Sequence, residues 1–268
     1  PYSDVGNYTF DTYLDFVQQG IYLWENSPFI QEYPEEFFLN YILFHRANDE
    51  EIKPCRTFFW EKLKDRIQGL DMEAAILEIN HWCAGEVMYQ GTDARTGSAL
   101  EIYRSGVGRC GEESVFAINA LRSAGIPARQ VYVPRWSHCD DNHAWVEVWC
   151  NGDWHYIGAC EPEAVLDKGW FTNAASRAMM VSSRWYDRAM PDEDIIGQDG
   201  MNRMLNQLSR YAKTKRITIC VKDLDGMPVA DAIVKVDVMN YGEFSPVAQM
   251  KTGENGKVSL VTGLGSLL

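Results

Sequence analysis

The stretch Gly108-Arg109-Cys110-Gly111-Glu112 stands where a glycine-rich loop gives way to a predicted helix of about Glu112 to Ser123. Gly125 and Pro127 predict the end of that helix. The first N–H groups of a helix have no acceptor within it and favour a thiolate at its start. A free cysteine is often only a small buried apolar residue. The charged and glycine neighbours of Cys110 favour a nucleophile with a lowered pKa instead.

His143 begins the second informative stretch. Apolar residues at every second position, Val146, Val148 and Cys150, predict a strand that starts at His143. An imidazole on a strand and a thiol on a helix can form a Cys–His pair, because neither element moves much. We therefore expect His143 to be the base for Cys110. The remaining histidines lack this context and are interpreted as structural or solvated: His45, His81, His138 and His155.

A hairpin follows this strand. Asn151-Gly152 predicts a tight turn into a second strand over Trp154 to Ile157. A two-residue turn would place Cys160 opposite His143. A three-residue loop through Asp153 would shift the pairing by one residue and place Glu161 there instead.

Three motifs, in this order, resemble those of the transglutaminase-like superfamily. They are the Gly108–Glu112 run, Leu121-Arg122-Ser123-Ala124-Gly125-Ile126-Pro127-Ala128-Arg129, and His143-Ala144-Trp145-Val146-Glu147-Val148. The superfamily includes transglutaminases, peptide:N-glycanases and bacterial thiol peptidases, and the first run with Ala159-Cys160-Glu161 is most similar to the glycanases. The resemblance covers roughly residues 75–185. It implies a papain-like core, in which a Cys-bearing helix packs on an antiparallel sheet that carries the His and an Asp.

The sequence departs from the family at the third catalytic residue. In the family, an Asp follows the hairpin tryptophan by four residues, and here that position is Gly158. Glycine has no side chain with which to orient an imidazole. Glu161, which the longer hairpin loop favours, is our candidate for the orienting acid, and an ordinary surface glutamate is the alternative interpretation.

The order of predicted elements, helices first and antiparallel strands later, indicates an α+β fold. We expect a helical flank over residues 1–70, with buried stripes Leu14-Val17-Ile21 and Phe59-Leu63-Ile67. Asp71 is expected to cap the first helix of a core over 71–190. A connection over 191–215, with loosened patterning at 190–194 and 197–200, leads to an Ig-like β-sandwich module over 216–268. That module is shorter than the usual length of about 100 residues, so we expect it to be incomplete.

Composition excludes some classes of partner. The formal net charge of −13 argues against nucleic acid, which binds clustered Lys and Arg. No apolar run is long enough to span a membrane. His138, Cys139 and His143 lack the recurrent spacing of a zinc site, so neither a metal nor a cofactor is expected. The chain opens at Pro1 rather than Met, which we interpret as a cut, so a missing signal peptide is uninformative. The seven irregularly spaced cysteines favour reduced thiols and a cytoplasmic protein, whereas the C-terminal module favours a secreted or surface-attached one.

The resemblance implies an enzyme that attacks an amide or peptide bond through a thioester on Cys110. The substrate would be a protein, a peptide or a glycopeptide. Hydrolysis is the expected reaction, because nothing in the sequence suggests the calcium loops of cross-linking transglutaminases. Acyl transfer is one alternative. A non-catalytic scaffold is another, supported by Gly158 and opposed by the intact Cys110 and His143.

Overall fold

The computed structural model describes residues 2–93, 95–186, 194–200 and 202–265. The chain divides into two compact units. The first comprises Pro1–Gln130 and Ala144–Trp170, and the second comprises Val131–His143 and Phe171–Leu268. The domain boundaries predicted at residues 70, 190 and 215 stay predictions.

The α-helices run as follows: α1 Tyr2–Asn7, α2 Phe10–Asn26, α3 Glu35–Phe38, α4 Arg56–Leu63, α5 Met72–Glu86, α6 Ala99–Ser105, α7 Cys110–Ser123 and α8 Thr172–Ala175. The strands are β1 Met88–Tyr89, β2 Val107–Gly108, β3 Ala128–Val133, β4 His143–Cys150, β5 Asp153–Ile157, β6 Ser182–Trp185, β7 Ile195–Asp199, β8 Asn202–Asn206, β9 Thr214–Cys220, β10 Ile233–Asn240, β11 Glu243–Lys251 and β12 Lys257–Gly263. Short 3₁₀ segments cover Pro28–Glu32 and Leu208–Arg210, and a π-helical turn covers Leu39–Leu43. This mixture of helices and antiparallel strands confirms the α+β fold class.

Helix α7 lies in the core of the first unit. Its residues from Gly111 to Ser123 are all buried, including the apolar side chains of Val115, Ile118 and Leu121. The helix starts two residues before the predicted boundary, so Cys110 occupies its first position. It ends as predicted, because Gly125 adopts a φ of 84° that favours glycine.

Helix α5 packs beside α7 and also follows its prediction. The Asp71 side chain accepts a hydrogen bond of 2.8 Å from the Ala74 N–H and caps the helix. The apolar stripe Ile76, Ile79 and Cys83 is completely buried in the same core. Apolar burial of this kind, at about 25 cal/mol per Å², is what holds such helices in place.

The predicted stripe on α2 is wrong. Val17 and Ile21 are exposed, and the buried face instead contains Phe16, Gly20 and Leu23. Gly20 explains the rotation, because a Cβ at that position would lie 2.7 Å from the Leu43 side chain. The helix therefore turns a residue without a side chain toward its neighbour. The second predicted stripe, Phe59-Leu63-Ile67, is buried.

The hairpin β4–β5 has the two-residue turn. Asn151 and Gly152 both have positive φ angles, and Cys150 pairs directly with Asp153. The antiparallel ladder runs from that pair to Val146↔Ile157, where β5 ends. The three-residue loop that favoured Glu161 is therefore wrong, because Asp153 belongs to the strand rather than to the turn.

The second unit is mostly strand. Residues of β3 pair with β6, which pairs with β8, and β8 pairs with β7, all antiparallel. Two further antiparallel pairs, β9–β12 and β10–β11, contribute to a core with Met179, Met180 and Ile196. Strands β7 and β8 occupy part of the segment predicted as a connection. Residues 190–193 and 266–268 lie outside the described residues, and the Ig-like sandwich stays a prediction.

Among the described helices, none has both the length and the apolarity that a membrane crossing needs.

Candidate functional site

The start of α7 is anchored by Glu112. This buried carboxylate accepts hydrogen bonds from the Arg109 N–H at 3.2 Å, the Gly97 N–H at 3.1 Å and the Thr92 hydroxyl at 2.5 Å. The Arg109 guanidinium donates back to the Thr96 hydroxyl at 2.9 Å. The helix start is therefore tied to the loop that contains Thr92, Thr96 and Gly97.

The Cys110 thiol lies among backbone N–H groups of the first unit. The backbone N–H groups of Ala144 and Gly111 face its sulfur closely enough to favour the thiolate. Burial raises the pKa of Cys110, while those two donors and Arg109 oppose the rise. The prediction of a lowered Cys110 pKa is therefore wrong. Burial destabilises the thiolate by more than the N–H groups at the helix start stabilise it. Cys110 is therefore a neutral thiol at neutral pH.

His143 belongs to the second unit and is the residue before Ala144 in β4. It is buried, and its ring centroid lies 4.9 Å from that of Phe171. Burial lowers the pKa of His143 to about 4, although Asp141 acts in the opposite direction. The imidazole is therefore neutral at neutral pH and can accept a proton.

The loop before His143 is held by the β10–β11 hairpin. The Asn240 side-chain amide donates to the carbonyl oxygens of Trp136 and Cys139, both at 2.8 Å. The Tyr241 N–H donates to an Asp140 carboxylate oxygen at 2.6 Å. Sequence reasoning missed this support, because these hydrogen bonds join residues about a hundred positions apart. No local pattern signals such a contact.

The turn after β5 is held by Asn80 of α5. The Asn80 amide donates to the Gly158 carbonyl at 2.9 Å, and its oxygen accepts from the Cys160 N–H at 3.0 Å. The turn closes with a hydrogen bond of 3.1 Å from the Glu161 N–H to the Gly158 carbonyl. Asn80 is buried, so the turn is fixed to the helix core.

The Glu161 carboxylate fills the space beside Gly158. A Cβ on Gly158 would lie 2.5 Å from Glu161 Oε2, so the carboxylate occupies the region into which a side chain at residue 158 would project. The indole N–H of Trp170 donates to both carboxylate oxygens at 2.9 Å. Burial raises the pKa of Glu161, and the Trp170 hydrogen bond partly opposes the rise.

Glu113 is a second acid in this region that sequence reasoning missed. It follows Cys110 by three residues on α7, so the two lie on the same helical face. Burial, together with the nearby Glu161 carboxylate, raises the pKa of Glu113 to about 8. Glu113 therefore keeps its proton at neutral pH. A charged residue at a buried position of a helix was the only sequence signal for it.

The structure thus places Cys110 and Glu161 in the first unit, both near Glu113, and His143 in the second. Trp82 is buried among Phe59, Tyr103 and Phe116 and belongs to the core. In the described ranges, His, Cys, Asp and Glu side chains form no group of three or more placed to hold a metal ion.

Cys110 thus begins a buried helix beside the first strand of an antiparallel hairpin. Residues 61–159 match the family model of the transglutaminase-like superfamily. This part of the chain is a transglutaminase-like domain, and members of that superfamily are usually cysteine enzymes. The predicted resemblance is therefore confirmed. A search of curated proteins finds no match.

Several solved structures are similar in outline. A candidate cysteine protease from Cytophaga hutchinsonii matches with a TM-score of 0.40 and 16% identity, covering 68% of this chain and 66% of its own. LapG of Legionella pneumophila matches with a TM-score of 0.35 and 13% identity, covering 56% and 76%. Red sea bream transglutaminase matches with a TM-score of 0.35 and 10% identity, covering 94% and 52%. The chain thus spans just under two thirds of the Cytophaga protein and about half of the transglutaminase.

Proposed function

We propose that this chain is a cysteine-dependent hydrolase of amide or peptide bonds in proteins, peptides or glycopeptides. Cys110 is the nucleophile, His143 is the base and Glu161 is the acid that orients it. The observation that carries this proposal is the position of Cys110 at the first residue of the buried helix α7, beside the backbone N–H groups of Ala144 and Gly111. The superfamily match supports the same chemistry.

The protonation states define the first step. Because Cys110 and His143 are both neutral at rest, the imidazole removes the thiol proton as the sulfur attacks the substrate carbonyl carbon. The negative charge moves to the carbonyl oxygen. The N–H of Cys110, in the first turn of α7, is the proposed donor to that oxyanion.

The second step releases the amine. The intermediate collapses, the carbon–nitrogen bond breaks, and His143 gives its proton to the leaving amine, which leaves a thioester on Cys110. Water then attacks the thioester while His143 again takes a proton. The carboxylic acid departs and the thiol is restored. Acyl transfer differs only in that an amine replaces the water.

Glu161 bears on the scaffold alternative. The argument for a non-catalytic scaffold depended on Gly158, which occupies the position of the family's Asp. A carboxylate that fills the space beside Gly158, and that is fixed by Trp170, supports retention of the acid from a different position. This reasoning replaces the hairpin register, which no longer supports Glu161.

The proposal is tested with a mixture of glutamine-rich peptides, glycopeptides with asparagine-linked glycans, and unmodified peptides. Mass spectrometry then identifies the amide bonds that are cleaved. The parent chain should release products, and Cys110→Ala and His143→Ala should release none. Cys220→Ala is the matched control, because Cys220 is exposed and remote in sequence, and it should behave as the parent does. An added primary amine should leave hydrolysis dominant. Cleavage by Cys110→Ala at the parental rate, or none by the parent, would sink the proposal.

A further inference from the structure

Two cysteines meet where the turn after β5 contacts α5. Asn80 holds that turn through the Gly158 carbonyl and the Cys160 N–H. Cys83 follows Asn80 by three residues in α5, so both lie on the helical face that the turn contacts. Cys160 has a φ of 58°, an unusual value for a residue with a side chain, and this conformation is fixed by the Asn80 contacts.

The two side chains are neighbours in the same core. Asn80, one helical turn before Cys83, bonds to the backbone of Cys160, and Cys83 is the largest influence on the raised pKa of the Cys160 thiol. Cys83 is completely buried, and Cys160 packs against the same core while it stays partly exposed. One member of the pair is therefore open to a reagent, and the other can only reach its partner.

We propose that Cys83 and Cys160 are a site of reversible disulfide formation. The oxidant is a small disulfide such as oxidised glutathione. The Cys160 thiolate attacks one of its sulfurs and expels a glutathione thiolate, which leaves a mixed disulfide on Cys160. The Cys83 thiolate then attacks the Cys160 sulfur and expels the second glutathione. Two protein thiols and one glutathione disulfide thus become one protein disulfide and two reduced glutathiones.

The rate of this reaction depends on pH. The neighbouring Cys83, together with burial, raises the pKa of Cys160. Glu161 acts in the same direction, and so does Glu113 once it ionises at alkaline pH. Since only the thiolate attacks, the disulfide forms slowly at neutral pH and faster as the pH rises. The pair resists brief oxidative exposure and responds to a sustained one.

Oxidation would also move the acid of the proposed triad. A disulfide bond is about 2.05 Å long, which is shorter than any non-bonded approach of two sulfur atoms, so it draws the turn toward α5. Glu161 is the next residue in that turn, and its carboxylate position depends on the turn. This consequence, unlike the disulfide itself, rests on the proposed function.

The disulfide is tested in a Cys110→Ala background, so that the nucleophile cannot react. The protein is incubated with oxidised glutathione at neutral and at alkaline pH, alkylated and mapped by non-reducing peptide mass spectrometry. We expect a Cys83–Cys160 cross-link that forms several-fold faster at alkaline pH. Cys83→Ser should stop at glutathionylated Cys160. Cys55→Ser is the matched control, because Cys55 is equally buried but donates to Asn119, and it should leave the cross-link unchanged. A parent that keeps both thiols free, or that stops at the mixed disulfide, would overturn the proposal without any reliance on the Cys83 variant.

The second readout uses the parent with intact Cys110. Oxidation followed by mild reduction of surface mixed disulfides should lower peptide cleavage several-fold, and full reduction should restore it. Cys160→Ser should lose this response. If the cross-link forms and cleavage is unaffected, the link to Glu161 is wrong and the disulfide stands. If the parent never cleaves a peptide, the proposed function fails and the mapping result still decides the disulfide.

Discussion

The start of α7 and the turn after β5 each place a proposed catalytic residue in the first unit, but they are built differently. At the start of α7, backbone N–H groups of Ala144 and Gly111 act on Cys110, and Glu112 accepts the N–H of the preceding residue, Arg109. At the turn, Glu161 depends on Asn80 and Trp170, which are remote from it or separated by a loop. Backbone N–H groups persist when nearby side chains are replaced, whereas a turn held by distant side chains can be disturbed from several places.

Glu161→Gln tests the turn most severely. The substitution preserves size but removes the charge that would orient His143, and comparable losses reduce turnover by up to about 10⁴-fold. Peptide cleavage should fall by a large factor while the melting temperature changes little. Glu163→Gln is the control, since Glu163 only pairs with the exposed Lys168, and it should keep parental activity. Equal activity of the two variants would contradict the role of Glu161.

Asn80→Ala tests the support of the turn from a distance. It leaves the Gly158 carbonyl and the Cys160 N–H without their partner, at about 1–3 kcal/mol for each buried group. Urea unfolding should show a clear loss of stability, with cleavage reduced as well. Asn26→Ala, at an exposed helix end, should stay within about 0.5 kcal/mol of the parent. A loss of stability at Asn26 as large as that at Asn80 would remove the distinction between the two regions.

Glu113→Gln tests the acid that lies between the two regions. Unfolded Glu113 ionises near its ordinary pKa of 4.5, whereas the folded chain keeps the proton until about pH 8. Its contribution to stability is therefore complete at acidic pH and is lost as the pH rises through that window. The variant should gain stability relative to the parent, by about 1–2 kcal/mol on going from acidic to mildly alkaline pH. Thermal melts across that range measure the gain, and exposed Glu25→Gln should show none.

Trp170→Phe is expected to have the smallest effect. It removes the N–H that bonds both Glu161 oxygens, and its ring is largely exposed, so little packing is lost. Without that donor the pKa of Glu161 rises further, and the acid limb of the pH–activity profile should move to higher pH. Activity at neutral pH should fall by only a few fold. Trp24→Phe, at another exposed tryptophan, is the control and should leave the pH–activity profile unchanged. If Trp170→Phe also leaves it unchanged, Trp170 does not affect the pKa of Glu161.

The same contrast explains what the sequence could predict. The α7 boundary, the Asp71 cap and the Asn151-Gly152 turn are local, because each depends on residues a few positions apart. The buried face of α2 depends on how closely Gly20 approaches Leu43, which no periodicity reveals. The pairing of Glu113 with Glu161 and the pKa of Cys110 depend on burial in the folded chain. Chemistry-bearing residue types were predictable, and their ionisation was not.

The carboxylate of Glu112 has a practical consequence for redesign. A single side chain fastens the loop at Thr92 and Gly97 to the backbone just before Cys110. A longer or substituted loop will displace Cys110, the proposed nucleophile, unless the hydrogen bonds of Thr92 and Gly97 to Glu112 are retained. An insertion just before Thr92 is no safer, because β1 pairs with β2, and β2 ends at Gly108, two residues before Cys110.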